Sequence, residues 1–267
     1  LEEKNLEKLD RIKIATWNVN SINQRIEQLK TVLIDEEIDV MMLQEIKCEE
    51  ANFPRTEIES LGYKIILKGQ KAYNGVAILS KYPIEEVGNT IMADDDARYI
   101  EGVINYKNQT IRLLNIYAPH GQSPELPRFQ YKMLFYDNLT EKVKDYLKSD
   151  EILLVAGDYN IAPDNIDVYD SVKLEGSMGF HIMERRKLRQ LLNLGLSDAF
   201  REKYPDCQEY TWWDYRSLGF QYNRGMKIDH ILLSGEGIDI MQDCYILKNI
   251  RALDKPSDHV PVICVLH

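Results

Sequence analysis

The chain is poor in the residues that make metal clips, disulfide frameworks and membrane anchors. Its four cysteines, Cys48, Cys207, Cys244 and Cys264, stand far apart among 267 residues with no CxxC spacing. That argues against a thiolate zinc site or a disulfide framework and suits a reducing compartment. No apolar run is long enough to cross a bilayer, and no secretory h-region is present. The expected location is therefore the cytoplasm, with no membrane partner. No Pro/Gly/Ser linker, repeat or low-complexity tract divides the chain, which reads as one domain over 13–267 after a charged tail over 1–12. Because the first residue is Leu1 rather than Met, the N-terminus is expected to be trimmed. A basic surplus is also missing: 33 Lys and Arg against 43 Asp and Glu leave a net charge of -10. This lowers the expected non-specific affinity for nucleic acid without excluding it. An enzyme can confine its cations to one face and let a bound metal neutralise phosphate.

What is present is an alternation of short apolar runs with longer amphipathic segments, the pattern of a layered α/β fold. Lys13 to Trp17, Asp39 to Leu43, Tyr63 to Leu67, Gly75 to Ser80, Ile111 to Tyr117, Glu151 to Ala156, Ile228 to Leu233 and Val260 to Leu266 read as strands. Ile22, Ile26, Leu29 and Leu33 recur at helical spacing, as do Phe129, Met133, Tyr136, Leu139, Val143 and Leu147. A basic helix is expected from Glu184 to Leu192.

Five of these strands end in polar residues of one chemical kind. They are Trp17-Asn18, Gln44-Glu45, Asn115-Ile116-Tyr117, Gly157-Asp158-Tyr159-Asn160 and Ser257-Asp258-His259. Strand ends are where layered α/β folds place chemistry, because rigid strands fix the side chains. Carboxylates spread over distant positions, without Cys or paired His, suit a hard cation such as Mg²⁺ or Mn²⁺. Each element also has a plain structural explanation: Asn18 can satisfy a turn, Glu45 can be solvated, and Gly157-Asp158 is a common turn dipeptide. Their joint occurrence is what points to a site.

The motifs KIATWNVN, DVMMLQEIK, NGVAILS, NIYAPHG, VAGDYNIAP, TWWDYRS, NRGMKIDHILLS and KPSDHVPV, in this order, resemble the exonuclease III type of apurinic/apyrimidinic endonuclease. That type lies within the endonuclease/exonuclease/phosphatase superfamily. The resemblance runs from Lys13 to the C-terminus. It implies a four-layered α/β sandwich, two packed mixed β-sheets flanked by helices, acting as a monomer. It also implies hydrolysis of the phosphodiester 5′ to an abasic site in double-stranded DNA, with removal of 3′ blocking groups and 3′→5′ exonuclease activity. Glu45, Asp258 and Asn18 form the expected metal side. Asp158 is the expected base for water, Asn160 orients that water, Asp229 pairs with His259, and Tyr117 adds a donor. His120, Asn74, Trp212, Trp213, Arg216 and Arg224 are expected to contact substrate. The two tryptophans could instead be core aromatics; flanked by Arg216 and Arg224, they read as a platform for an exposed sugar or unstacked base.

The sequence departs from the family pattern at four places. His120 stands where relatives have an amide, Asn20 where some have Asp, and Ala199 where Ser or Thr is usual. The 180–188 segment carries His181 and Arg185-Arg186-Lys187 in place of Pro and Trp. A small-molecule or lipid-headgroup phosphatase of the same superfamily is the alternative; the 180–188 segment and the acidic charge favour it, and the Trp212 to Arg216 stretch opposes it.

Overall fold

Period-two alternation sorts the side chains of the central strands between two interfaces. The computed structural model describes residues 11–94, 96–216 and 218–267. Their strands form two six-stranded sheets. The first runs β11 (Met241–Ile246), β12 (Val262–Leu266), β1 (Ile12–Asn18), β2 (Val40–Gln44), β4 (Val76–Ser80), β3 (Lys64–Lys68). The second runs β5 (Ile84–Gly88), β6 (Tyr99–Tyr106), β7 (Gln109–Tyr117), β8 (Ile152–Asp158), β10 (Asp229–Leu233), β9 (Ser197–Asp198). Each sheet has a parallel pair at its centre, β1–β2 and β7–β8, with antiparallel neighbours outward. A parallel pair needs a long crossover. Helix α1 (Ile22–Asp35) supplies it for the first sheet and α2 (Pro127–Tyr146) for the second.

One set of alternate residues fills the space between the sheets: Ile12, Ile14, Val40 and Met42 meet Ile111, Leu113, Ile152 and Leu154. The other set faces helices. Ala15, Trp17, Met41 and Leu43 pack on Ile22, Leu29 and Leu33 of α1. Leu114, Ile116, Leu153 and Val155 pack on Phe135, Tyr136, Leu139 and Val143 of α2 and on Leu188 and Leu191 of α3 (Ile182–Leu192). The layers are helix, sheet, sheet, helix, as the resemblance implied.

Two corrections concern boundaries and edges. Ile12, assigned to the tail from the sequence, is the first residue of β1, paired with Leu266 and fully buried; the tail's residues 1–10 lie outside the described residues. Strands β5, β6, β9 and β11 had no counterpart in the sequence reading. β5 and β11 are sheet edges, largely exposed or half-exposed. β6 interrupts its apolar run with Glu101, whose carboxylate accepts from Tyr99 and from the distant Tyr146.

Candidate active site

The inner face of the sandwich changes character along the central strands. It is apolar at one end, then becomes Thr16 and Asn18 on β1, Gln44 on β2, Asn115 and Tyr117 on β7 and Asp158 on β8. Buried polar groups are as a rule paired, and here most pair with one another, within the first sheet and across to the second, with Gln44 Oε1 left without a partner. Gln44 donates to Thr16 Oγ1 (2.9 Å) and to Asn115 Oδ1 (2.7 Å). Asn115 in turn donates to the Leu43 and Ala77 carbonyls. This lock leaves the outermost residues, Asn18 and Asp158, at the floor of an open cleft.

Asp229 and His259 complete the floor. Asp229 opens β10 opposite Asp158, and His259 comes just before β12. His259 Nδ1 lies 2.8 Å from Asp229 Oδ2, and its Nε2 faces Asp158 Oδ2 at 3.7 Å. Ser257 Oγ fixes this loop, donating to the Asn18 carbonyl (2.7 Å) and accepting from the His259 amide (3.2 Å). Thr211 Oγ1 accepts from the amides of Ile228 and Asp229. Gly157 is required by the path of β8. Its φ is +147°, and a Cβ there would stand 1.9 Å from the Ile116 carbonyl oxygen. Glu45 and Asn160 both adopt left-handed backbone, at φ 50° and 52°. Non-glycine residues take that conformation when their surroundings enforce it, often at functional positions.

The electrostatics follow from these contacts. Burial pulls the His259 imidazole down, but the carboxylates of Asp229 and then Asp158 outweigh it and raise its pKa to about 10. Burial raises the Asp158 pKa to about 7, against the attraction of His259. Burial also opposes ionisation of Glu45 and Asp258, yet both end below the usual carboxylate range. Lys47 and then Asn18 hold Glu45 down; His259, Trp212 and Asn20 hold Asp258 down. Tyr117 stays a protonated donor, because burial and the charges of Glu45 and Asp158 disfavour its phenolate.

Most residues singled out in the sequence converge here. Glu45, Tyr117, His120, Asp158, Asn160, Trp212, Arg216, Asp258 and His259 line one cleft of about 550 Å³. Asn18 donates to Glu45 Oε1 and Asp158 Oδ2, both at 2.9 Å. Its own oxygen accepts from the Asn20 amide (3.0 Å). Asn74 lies beside the cleft in a cavity that shares Tyr117 and His120 with it. Arg224 is exposed, stacked over Tyr222 at 4.9 Å. Trp213 corrects the expected platform. It is fully buried between Tyr210 and Phe220 and is a core residue, while Trp212 alone borders the cleft, donating to Asp258 Oδ2 (3.1 Å). Sequence reasoning missed Lys47 and undervalued Asn20. Lys47 ion-pairs with Glu45 (2.6 Å) and donates to Asn20 Oδ1 (2.6 Å), and Asn20 donates to Asp258 Oδ1 (2.9 Å). The signal available was that Lys47 lies two residues beyond Glu45.

The donor set fits a hard divalent cation. With Asp158 ionised, the carboxylates of Glu45, Asp158, Asp229 and Asp258 outnumber the neighbouring cations His259 and Lys47 by two, while Asp214 and Arg216 on the cleft wall offset each other. Such a site would repel a phosphodiester unless a cation joined it. Two placements compete. Asp158, Asp229 and His259 bring ligand atoms within 4.8 Å of one another, and Asp229 Oδ1 is buried without a partner. There, however, both ring nitrogens of a protonated His259 already face carboxylates, so an ion would have to displace a proton. Glu45 and Asp258, both held below the usual carboxylate range, carry no such proton.

The chain matches the model of the endonuclease/exonuclease/phosphatase family over residues 15–259. An exodeoxyribonuclease III of Haemophilus influenzae is 34% identical over 263 residues, covering 94% of this chain and 98% of that protein. Among solved structures, a Neisseria 3′ phosphatase bound to a product DNA hairpin is 35% identical, with a TM-score of 0.90, over 96% of this chain and 99% of that one. An AP endonuclease from Archaeoglobus fulgidus is 31% identical, with a TM-score of 0.89, over 96% and 99%.

Proposed function

This chain belongs to the endonuclease/exonuclease/phosphatase family, and on that premise we propose that it is a Mg²⁺-dependent DNA-repair nuclease cutting the phosphodiester 5′ to abasic sites in duplex DNA, with 3′-end cleaning as a second activity. The observation that carries the reading is the His259 imidazolium held by Asp229 and aimed across the cleft at Asp158, beside Glu45 and Asp258. Trp212 on the cleft border supports DNA over a small phosphate ester. The four unpaired thiols suit a reducing compartment, and no helix among the described residues is long and apolar enough to cross a membrane.

Glu45 and Asp258 would hold the metal, which when bound supplies Lewis-acid charge for the phosphate and the leaving oxygen. Asp158, with one oxygen held by the Asn160 amide (2.8 Å) and the other by Asn18, accepts the proton of the attacking water. Asn160 sets the position of that water. His259 donates to a phosphate oxygen, kept protonated and oriented by Asp229. Tyr117 and His120 offer further donors at the cleft wall.

The test is incision of a labelled duplex with one abasic analogue, beside intact, 3′-phosphate and recessed-end duplexes, in EDTA and after adding Mg²⁺. A Mg²⁺-restored nick at the 5′ side of the lesion is expected. Turnover of an inositol phosphate with none of the abasic duplex would overturn the substrate.

A further inference from the structure

A lysine and a glutamate, both at 0% side-chain exposure, meet behind the cleft: Lys132 of α2 and Glu184 of α3. Charges so buried add little to stability, because desolvation consumes most of their attraction, and an apolar pair of the same volume often serves as well. Their partners explain why they are present. Lys132 Nζ donates to the carbonyls of Asn160 (2.8 Å) and His120 (3.3 Å) and to Glu184 Oε1 (2.5 Å), using all three protons. Glu184 Oε2 accepts from the amides of Gly179 (2.8 Å) and His181 (3.1 Å). Asn160, His120 and Gly179, together with Met178 beside it, line the catalytic cleft.

We propose that the Lys132–Glu184 pair is a positioning device that fixes the gap between Asn160 and the Met178–Gly179 wall, and thereby sets which DNA termini fit the cleft. Neither side chain reaches the substrate; both act through the backbone they hold. The left-handed Asn160 is gripped on its amide by Asp158 and on its carbonyl by Lys132, so its position depends on both. An internal lesion continues as strand on both sides of the phosphate, whereas a 3′ end continues on one. A displaced wall therefore affects the two substrates unequally. The proposal rests on the reading of Asn160 as a water-positioning residue.

The experiment compares wild type with Lys132→Met/Glu184→Leu, which removes both charges together. The kcat/KM ratio between an internal abasic duplex and a 3′-phosphate duplex is measured, because a ratio is blind to the fraction of folded enzyme. A misplacement near 1 Å can cost a reaction about 100-fold, so the ratio is expected to change at least about tenfold. A ratio unchanged within about twofold, in a variant as thermally stable as wild type, overturns the proposal. Should the double variant fail to fold, Glu184→Gln asks the same question with the same two outcomes. Wild type inactive on the abasic duplex would refute the proposed lesion instead, and the ratio is then taken between 3′-phosphate and 3′-hydroxyl ends.

Discussion

Asp158→Asn separates chemistry from stability. Asparagine preserves the shape and can still accept from the Asn160 amide, but it cannot take a proton from water. A positioned general base contributes about 10²- to 10⁴-fold, which at 1.36 kcal/mol per decade is about 2.7–5.4 kcal/mol of barrier. The same substitution acts on the fold with the opposite sign. Burial raises the Asp158 pKa from 3.8 to about 7, so the ionised carboxylate is a cost borne by the folded state. A carboxylate with a raised folded pKa imposes no cost below its unfolded value near 3.8, and the full cost above about 7. The ceiling on that cost is about 4 kcal/mol at 1.36 kcal/mol per unit. That ceiling is already net of the attraction to His259 and of the hydrogen bond from Asn18, so the substitution should stabilise the fold at high pH, each 1 kcal/mol of gain raising Tm by about 2–4 °C for a chain of this size.

Three measurements check this together: single-turnover incision, DNA binding by fluorescence anisotropy, and thermal unfolding in EDTA, so that no divalent ion screens the carboxylate. Incision should fall at least about 100-fold with binding held within a few-fold. Tm should rise at pH 8 and match wild type at pH 4. Retained turnover would remove Asp158 from the role of base. A Tm lowered by more than about 2 °C at pH 8 in EDTA would show that the buried charge supports the fold, contrary to the reasoning.

Asp229→Asn should lower kcat by about 10²- to 10³-fold by loosening the His259 donor. If isothermal titration shows that metal affinity falls in step, the role given to Asp229 is wrong. The adjacent tryptophans should divide cleanly. Trp212→Ala is expected to weaken duplex binding by about 1–3 kcal/mol, read as a raised KM, with an unchanged Tm. Trp213→Ala should cost about 3–5 kcal/mol of stability in urea unfolding and leave the KM of the folded fraction alone. Gly157→Ala should give no soluble folded protein, since backbone rather than a movable side chain blocks its Cβ; a normal circular dichroism spectrum would contradict that.

The site was more legible than the fold around it. Asn18, Glu45 and Asp158 could be found because each closes or follows an apolar run, and His259 because it stands just before one, after the shaped Lys255-Pro256-Ser257 loop. Nothing local distinguishes Trp212 from Trp213. Neighbours in extended chain point to opposite sides, and only the tertiary partners, Asp258 for one and Tyr210 with Phe220 for the other, decide which side is wet. Glu101 hid β6 for a similar reason. An acid in mid-strand argues against burial until Arg112 of the neighbouring strand and Tyr146, far along the chain, are brought to it. Lys132 and Glu184 are separated by 52 positions, so neither looked different from the many charged residues of solvated helix faces.

The two parallel crossovers explain why the site needs both sheets. β1–α1–β2 and β7–α2–β8 occupy equivalent places in sheets of equivalent order, and their carboxyl ends open on the same cleft. Each delivers a donor at the end of its first strand, Asn18 or Tyr117, and a left-handed residue just past its second, Glu45 or Asn160. In the proposed mechanism the first sheet supplies the carboxylates that would hold the metal, Glu45 and Asp258, and the second supplies the base for water, Asp158. The separation of metal from water is then the separation of the sheets, fixed by the apolar core and by the Gln44–Asn115 bond between them. Gln44 thus belongs to the catalytic geometry although it touches no substrate. Cutting its bond with Gln44→Leu should lower kcat more than it raises KM, because each half keeps its own ligands while their spacing slips. Equal effects on the two constants would place the fixing of that spacing elsewhere.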